Sequence, residues 1–261
     1  YGNIDGDNNT AVGYLSLRNN TTADNNTAVG HSALGANTTG CRNVAVGKNA
    51  LTANTTANNN IAIGLDSLCV NQTGLKNVAM GTDTLRNNTG GCNTAIGYLS
   101  LAANTSASNN TSVGACSLNA NTTGTENVAM GTEALDSNTT GNYNTGVGFQ
   151  SLQAVTTGGY NTGVGYKTLF TNTGSLNTAV GWSALLSNTS ASNNVAVGTN
   201  SSEKTTTGDQ NVSVGVDSLN KNTTGTENTA LGRFALCANT TASNNTAVGK
   251  AALQSNTTGN S

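Results

Sequence analysis

A five-residue pattern, Asn-(Thr/Val/Ile)-(Ala/Ser/Gly)-(Val/Ile/Met/Leu)-Gly, recurs along the whole chain and narrows its folding options to one kind of architecture. It begins at Asn9, Asn26, Asn43, Asn60, Asn77, Asn93, Asn110, Asn127, Asn144, Asn161, Asn177, Asn194, Asn211, Asn228 and Asn245. These fifteen units are 17 residues apart, except for two steps of 16, Asn77 to Asn93 and Asn161 to Asn177. Self-similarity at a short fixed period marks an architecture in which each unit packs on its neighbours. No linker or change of composition interrupts it, so residues 1–261 are expected to form one continuous array. The chain starts inside a repeat turn (Asn3-Ile4-Asp5-Gly6) and ends just after another (Asn256 to Gly259), without polar caps. A section of a longer fibre, or an array closed off by neighbouring chains, is therefore expected.

With the pentad Asn as position 1, position 2 is always β-branched and position 4 always a mid-sized aliphatic, while position 3 is Ala, Ser or Gly. This period-2 alternation specifies a short strand with one apolar face. Gly at position 5 permits a bend. Position 9 is Leu in fourteen of fifteen units, Ser202 being the exception, and is read as a second extended segment. Positions 12 to 15 are mostly Asn-Thr-Thr-Gly, a turn. Asn, Thr and Gly are poor helix formers, and 17 residues are too few for two helices. The expected fold is all-β: a parallel β-solenoid of fifteen coils of about 17 residues stacked at ~4.8 Å. The Asn at position 1 is expected to form an amide ladder from coil to coil. The small residues at position 3 suit either a narrow interior or close approach of another backbone.

Composition excludes several function classes. Asn and Thr number 44 each, about a third of the chain, and charged residues are 8%, against roughly 25% in ordinary globular proteins. Net charge is -2 with no Lys/Arg cluster, which argues against nucleic-acid binding. No run of ~18 apolar residues signals a membrane span, and no signal-peptide pattern opens the chain. His31 is the only histidine and has no carboxylate or serine constellation repeated around it, so no enzyme is read here. No cofactor or metal is expected. Asp66 and Asp83 share position 7 on adjacent coils and are read as a solvated acidic pair.

The pentads Asn26-Thr27-Ala28-Val29-Gly30 and Asn60-Ile61-Ala62-Ile63-Gly64 resemble the head repeats of YadA-like trimeric autotransporter adhesins. The fuller unit, from Asn228-Thr229-Ala230-Leu231-Gly232 through Leu236 to Asn239-Thr240-Thr241, resembles repeats upstream of chaperone domains in phage tail fibres and bacterial surface fibres. The resemblance implies a left-handed parallel β-roll, usually trimeric, at a cell or virion surface.

Within that frame the site candidates are few. Asn-x-Ser/Thr sequons occur at Asn20, Asn37, Asn54, Asn71, Asn87, Asn104, Asn121, Asn138, Asn188, Asn222, Asn239 and Asn256, in turns where covalent glycans are expected to project. Phe149, Tyr166 and Trp182 share position 6 on consecutive coils, as a ligand-contact ladder or as simple stacking; Tyr143 and Tyr160 make a smaller pair at position 17. Cys41, Cys69, Cys92, Cys116 and Cys237 share no column on adjacent coils, so no intrachain disulfide framework is implied. The functional expectation is a non-enzymatic extracellular fibre or filament whose partners are copies of itself, as a trimer or head to tail. The alternatives are a receptor-binding adhesin or phage tail fibre shaft, and an ice-binding solenoid using the Thr columns at positions 13 and 14.

Overall fold

The computed structural model of the chain describes residues 2–259. They form two compact units, Tyr1–Asn127 and Val128–Ser261. Both are parallel β-solenoids, and the described residues contain no helix.

The first unit carries β1 (Thr10–Val12), β2 (Thr27–Val29), β3 (Val44–Val46), β4 (Ile61–Ile63), β5 (Val78–Met80), β6 (Thr94–Ile96) and β7 (Thr111–Val113). The second carries β8 (Val128–Met130), β9 (Thr145–Val147), β10 (Thr162–Val164), β11 (Thr178–Val180), β12 (Val195–Val197), β13 (Val212–Val214), β14 (Thr229–Leu231) and β15 (Thr246–Val248). In each unit consecutive strands pair in parallel with equivalent positions opposite, as in Thr27↔Val44 and Thr162↔Thr178. The two 16-residue steps leave this register intact.

Each strand is three residues long, yet the ladder continues around the coil. Thr27, Leu34, Ala36 and Thr38 donate their N–H groups to the following coil, at Asn43, Ala50, Thr52 and Thr55. Gly30, Ser32 and Arg42 donate to the preceding one, at Val12, Tyr14 and Asp24. A narrow coil achieves this by turning sharply. Position 5 is glycine with φ between 123° and 139° wherever a positive value occurs. Among the described residues, positions 7, 9 and 17 are also left-handed although they carry side chains; Leu34, Leu51 and Leu68 have φ of 49°, 50° and 50°. The extended segment expected at position 9 is thus a curl.

A left-handed leucine costs roughly 1–2 kcal/mol. Its compensation is burial: Leu34, Leu51, Leu68 and Leu85 are fully inside, and sequestering a Leu side chain is worth ~1.5–3 kcal/mol.

The strand is turned opposite to the simplest reading of its alternation. From β2 onward position 3 is buried, as at Ala28, Ala45 and Ala62, while positions 2 and 4 face outward; in β1 Ala11 is exposed. The small residues therefore fit a narrow interior. Beside them lie the Leu column, small residues at positions 8 and 15, and two columns of asparagine at positions 1 and 12.

Those asparagines satisfy most of the polar groups of the core, although the buried Oδ1 atoms of Asn54 and Asn239 have no partner. At position 1 the main contact is with backbone rather than amide with amide. Asn60 Oδ1 accepts the N–H of Asn77 at 2.9 Å, and its Nδ2 donates to the carbonyl of Gly74 at 2.9 Å. The same pair of bonds recurs at Asn26, Asn43, Asn77 and Asn110. Amide-to-amide contacts are the principal link at position 12 instead: Asn37 donates to Asn20 at 3.0 Å and Asn54 to Asn37 at 2.8 Å.

Two substitutions test this frame. Asn60→Ala strands the buried N–H of Asn77, while the Gly74 carbonyl keeps the bond from Asn71, and is expected to cost about 1–3 kcal/mol, the penalty of one unsatisfied buried group. Gly64→Ala drives a Cβ into the carbonyl oxygen of Gly81 from a backbone with φ of 133°, with an expected loss of at least ~2 kcal/mol. Equilibrium denaturation of each variant, beside the exposed-site control Thr56→Ser, measures both; a loss no larger than the control's would overturn the assignment.

Candidate functional site

The feature left open by the fold is the outward strand face. Alternation puts positions 2 and 4 on the side away from the Asn and Ala columns. Along position 2 run Thr, Val and Ile; along position 4 run Val, Ile, Met and Leu. Ile61, Met80, Ile96, Met130, Val164 and Leu231 remain 36–45% exposed. No charged residue occurs at positions 2 to 4 of any unit. Contiguous exposed apolar surface of this kind marks an interaction site more often than a bare surface.

Aromatic residues border this face in the second unit. Phe149, Tyr166 and Trp182 stand two residues beyond the ends of β9, β10 and β11; Tyr143 and Tyr160 stand two residues before β9 and β10. The rings of Phe149 and Tyr166 stack at 5.6 Å, those of Tyr166 and Trp182 at 4.0 Å, and those of Tyr143 and Tyr160 at 4.8 Å. Lys167 Nζ lies 5.5 Å from the Tyr166 ring and 5.1 Å from that of Phe170. The stacking reading of position 6 therefore describes the geometry. Ring faces turned toward one another are unavailable as a platform for a sugar ring, which leaves mainly edges and outer faces exposed.

The candidate glycosylation sites divide sharply. Asn20, Asn37, Asn54, Asn71, Asn104, Asn121, Asn138, Asn188, Asn222 and Asn239 are buried to within 1%. The nitrogen that an N-linked sugar would join is occupied inside the coil: Asn37 Nδ2, for example, donates to Asn20 Oδ1 and to the Gly40 carbonyl. The expected glycan stripe is incompatible with these ten side chains in the folded coil, because the sequon turn points its amide inward. Asn256 is half-buried, and Asn87 is exposed. In that short coil Asn88 takes the inward place, accepting from Asn104 at 2.6 Å, so Asn87 lies outside.

The remaining candidates stay apart. His31 is exposed beside Ser32, at 3.0 Å from its Oγ, with its ring 5.4 Å from that of Tyr14. Asp66 accepts from Asn49 at 2.8 Å, while Asp83 pairs with Arg86 at 3.6 Å. The described residues hold no cluster of three His, Cys, Asp or Glu suited to a metal. Cys41, Cys69, Cys92 and Cys237 carry free thiols.

Two further columns of side chains work between coils. The position-13 hydroxyls bond from coil to coil: Thr38 Oγ1 donates to the Thr55 carbonyl and Thr105 Oγ1 to that of Thr122, both at 3.0 Å. At position 16 the side chain caps an N–H of the preceding coil. Asp24 accepts from Asp7, Asn58 from Cys41 and Ser108 from Gly91. The signal was present as an excess of Asp, Asn, Ser and Thr at that position.

No family model, no curated protein and no solved structure matches this chain.

Thiol accessibility offers a check on the surface. Cys92 is exposed. Burial pushes the Cys69 thiol up, with Asp66 adding to the effect, and burial followed by Asp217 does the same for Cys237. A raised thiol pKa means less thiolate near pH 8 and slower alkylation. Peptide mapping during limited maleimide labelling is expected to find Cys92 modified first, with Cys69 and Cys237 lagging. The reverse order would contradict the burial of these sites.

Proposed function

We propose that this chain is a structural, non-enzymatic rod section of an extracellular fibre that associates with copies of itself through the outward strand face. The observation that carries the reading is the charge-free display of Thr, Val, Ile, Met and Leu at positions 2 and 4 within each unit. Every strand offers the same chemistry, so a second copy is chemically matched to it. At ~4.8 Å between strands and ~3.3 Å per residue, each three-residue strand presents on the order of 50 Å². Over the eight strands of the second unit alone this is about 400 Å², half of the ~800 Å² that each partner contributes to a standard interface.

The surface location and trimeric assembly are supported by the resemblance to adhesin and tail-fibre repeats. Those families also supply the nearest rival, a receptor-binding shaft, which would need a localised ligand site. The ice-binding reading is weakened because hydroxyls along the position-13 Thr column already donate to carbonyls of the next coil.

Sedimentation velocity across a range of protein concentrations tests self-association. The wild-type chain is expected to sediment as an oligomer. Val147→Lys with Val180→Lys puts charges on the face while leaving the interior untouched, and should weaken association at least tenfold, about 1.4 kcal/mol or more. A wild-type chain that stays monomeric throughout would refute the reading.

A further inference from the structure

The proposed interface contains its own ambiguity. Columns that repeat every coil match a partner equally well after a slip of one coil, because each strand meets another carrying the same residue classes. Register is weakly specified wherever a face lacks distinguishing features. Such a face can hold two copies together without fixing how they are aligned.

One part of this chain breaks the translational sameness. Over β9 to β11 the strand face is bordered on one side by Tyr143 and Tyr160 and on the other by Phe149, Tyr166 and Trp182. Tyr143, Phe149, Tyr160 and Trp182 are 43–60% exposed. The Cα atoms two residues from a strand end lie at most ~7 Å from it, so these rings rim whatever sits on the strands. The equivalent positions elsewhere are mostly polar or charged, including Arg42 and Lys76 at position 17 and Lys48 at position 6; Tyr14 and Tyr98 also stand at position 6, but neither has a tyrosine, phenylalanine or tryptophan on the next coil of that column.

We propose that the aromatic cluster of β9–β11 sets the register between two copies of this chain, each cluster seated against its counterpart. The inference rests on the self-association proposed above. In the matched alignment the exposed ring edges meet apolar surface, and aromatic pairs contribute beyond their area. A slipped alignment turns some of the rings toward polar or charged borders, whose desolvation is unfavourable. The floor of the interface supplies adhesion, and the cluster supplies position.

Site-specific cross-linking in a chain with its five cysteines changed to serine reads the register. Chains carrying Val164→Cys, in β10, are mixed with chains carrying Met130→Cys, in β8, and treated with a short bis-maleimide. Matched clusters predict abundant 164–164 links and few 130–164 links, whether the copies run parallel or antiparallel. The cluster is then replaced by residue types found at its positions elsewhere: Tyr143→Asn, Tyr160→Asn, Phe149→Thr, Tyr166→Thr and Trp182→Thr. The 164–164 yield should fall several-fold and 130–164 links should rise to a comparable level, while sedimentation still shows oligomers. If this variant does not fold, Tyr143→Asn with Tyr160→Asn keeps the larger stack and should shift the ratio in the same direction. Unchanged link ratios in a folded, oligomeric variant, or frequent 130–164 links in the unaltered cluster, overturn the register role alone. A monomeric unaltered chain overturns self-association and the register role together.

Discussion

The structure depends on an amide buried in every coil. A three-residue strand cannot by itself hold a 17-residue loop closed, and the interior is too narrow for a conventional apolar core. The position-1 asparagine solves both problems. Its oxygen receives the next coil's N–H, and its nitrogen holds the carbonyl at the following turn, as Asn43 does with Asn60 and Ala57. One short side chain with both a donor and an acceptor ties strand to turn and coil to coil. Aspartate lacks the donor when ionised, and glutamine is a methylene longer, which explains why this position never varies. The cost of burying two amides per coil falls when their hydrogen bonds are made.

Because amides occupy much of the interior, few places remain for hydrocarbon. A single Leu column with small neighbours fills them, even at the cost of a left-handed backbone. The larger aliphatic groups are displaced to the outside. A soluble monomer would normally turn its Val, Ile and Met inward. Here the inward places are already taken by Asn and Ala, so the same strand that builds the coil leaves an apolar surface without an intrachain partner.

Much of this was legible in the residues and some was inverted. The period, the strand at each pentad and the parallel stacking follow directly from the repeat. Which strand face lies inside does not follow from hydrophobicity, because alternation looks identical from either side. The better signal was strictness. Position 1 is always Asn and position 3 always small, whereas positions 2 and 4 tolerate several shapes, as a surface does. The sequons misled for a related reason. Asn-Thr-Thr-Gly is turn chemistry, but here the turn aims Asn inward to its copies and Thr outward or along the array. The departures are instructive as well. Val155 takes the Asn place and is fully buried, whereas Ser202 replaces the core Leu and bonds Ser213 at 2.7 Å. Filling the space and satisfying polar groups are therefore separable demands at those two columns.

The low charge content belongs to the same logic. Stacking places equivalent side chains near the strand spacing, where two like charges repel by about 1 kcal/mol even in water. Repeated along an array, that penalty would rival the worth of each coil's Leu. Four of the acids are accordingly met by an amide one coil away. Asn49 donates to Asp66, Gln150 to Glu133, Asn200 to Asp217 and Asn220 to Glu203. At Glu203 the bonds from Lys204 and Asn220 outweigh the opposing effect of burial and hold its carboxyl below the usual range. A neutral donor stabilises the carboxylate without adding a cation to stack on the following coil. The abundance of Asn is thus a consequence of translation: a residue that must face its own likeness does best when it can both give and accept a hydrogen bond.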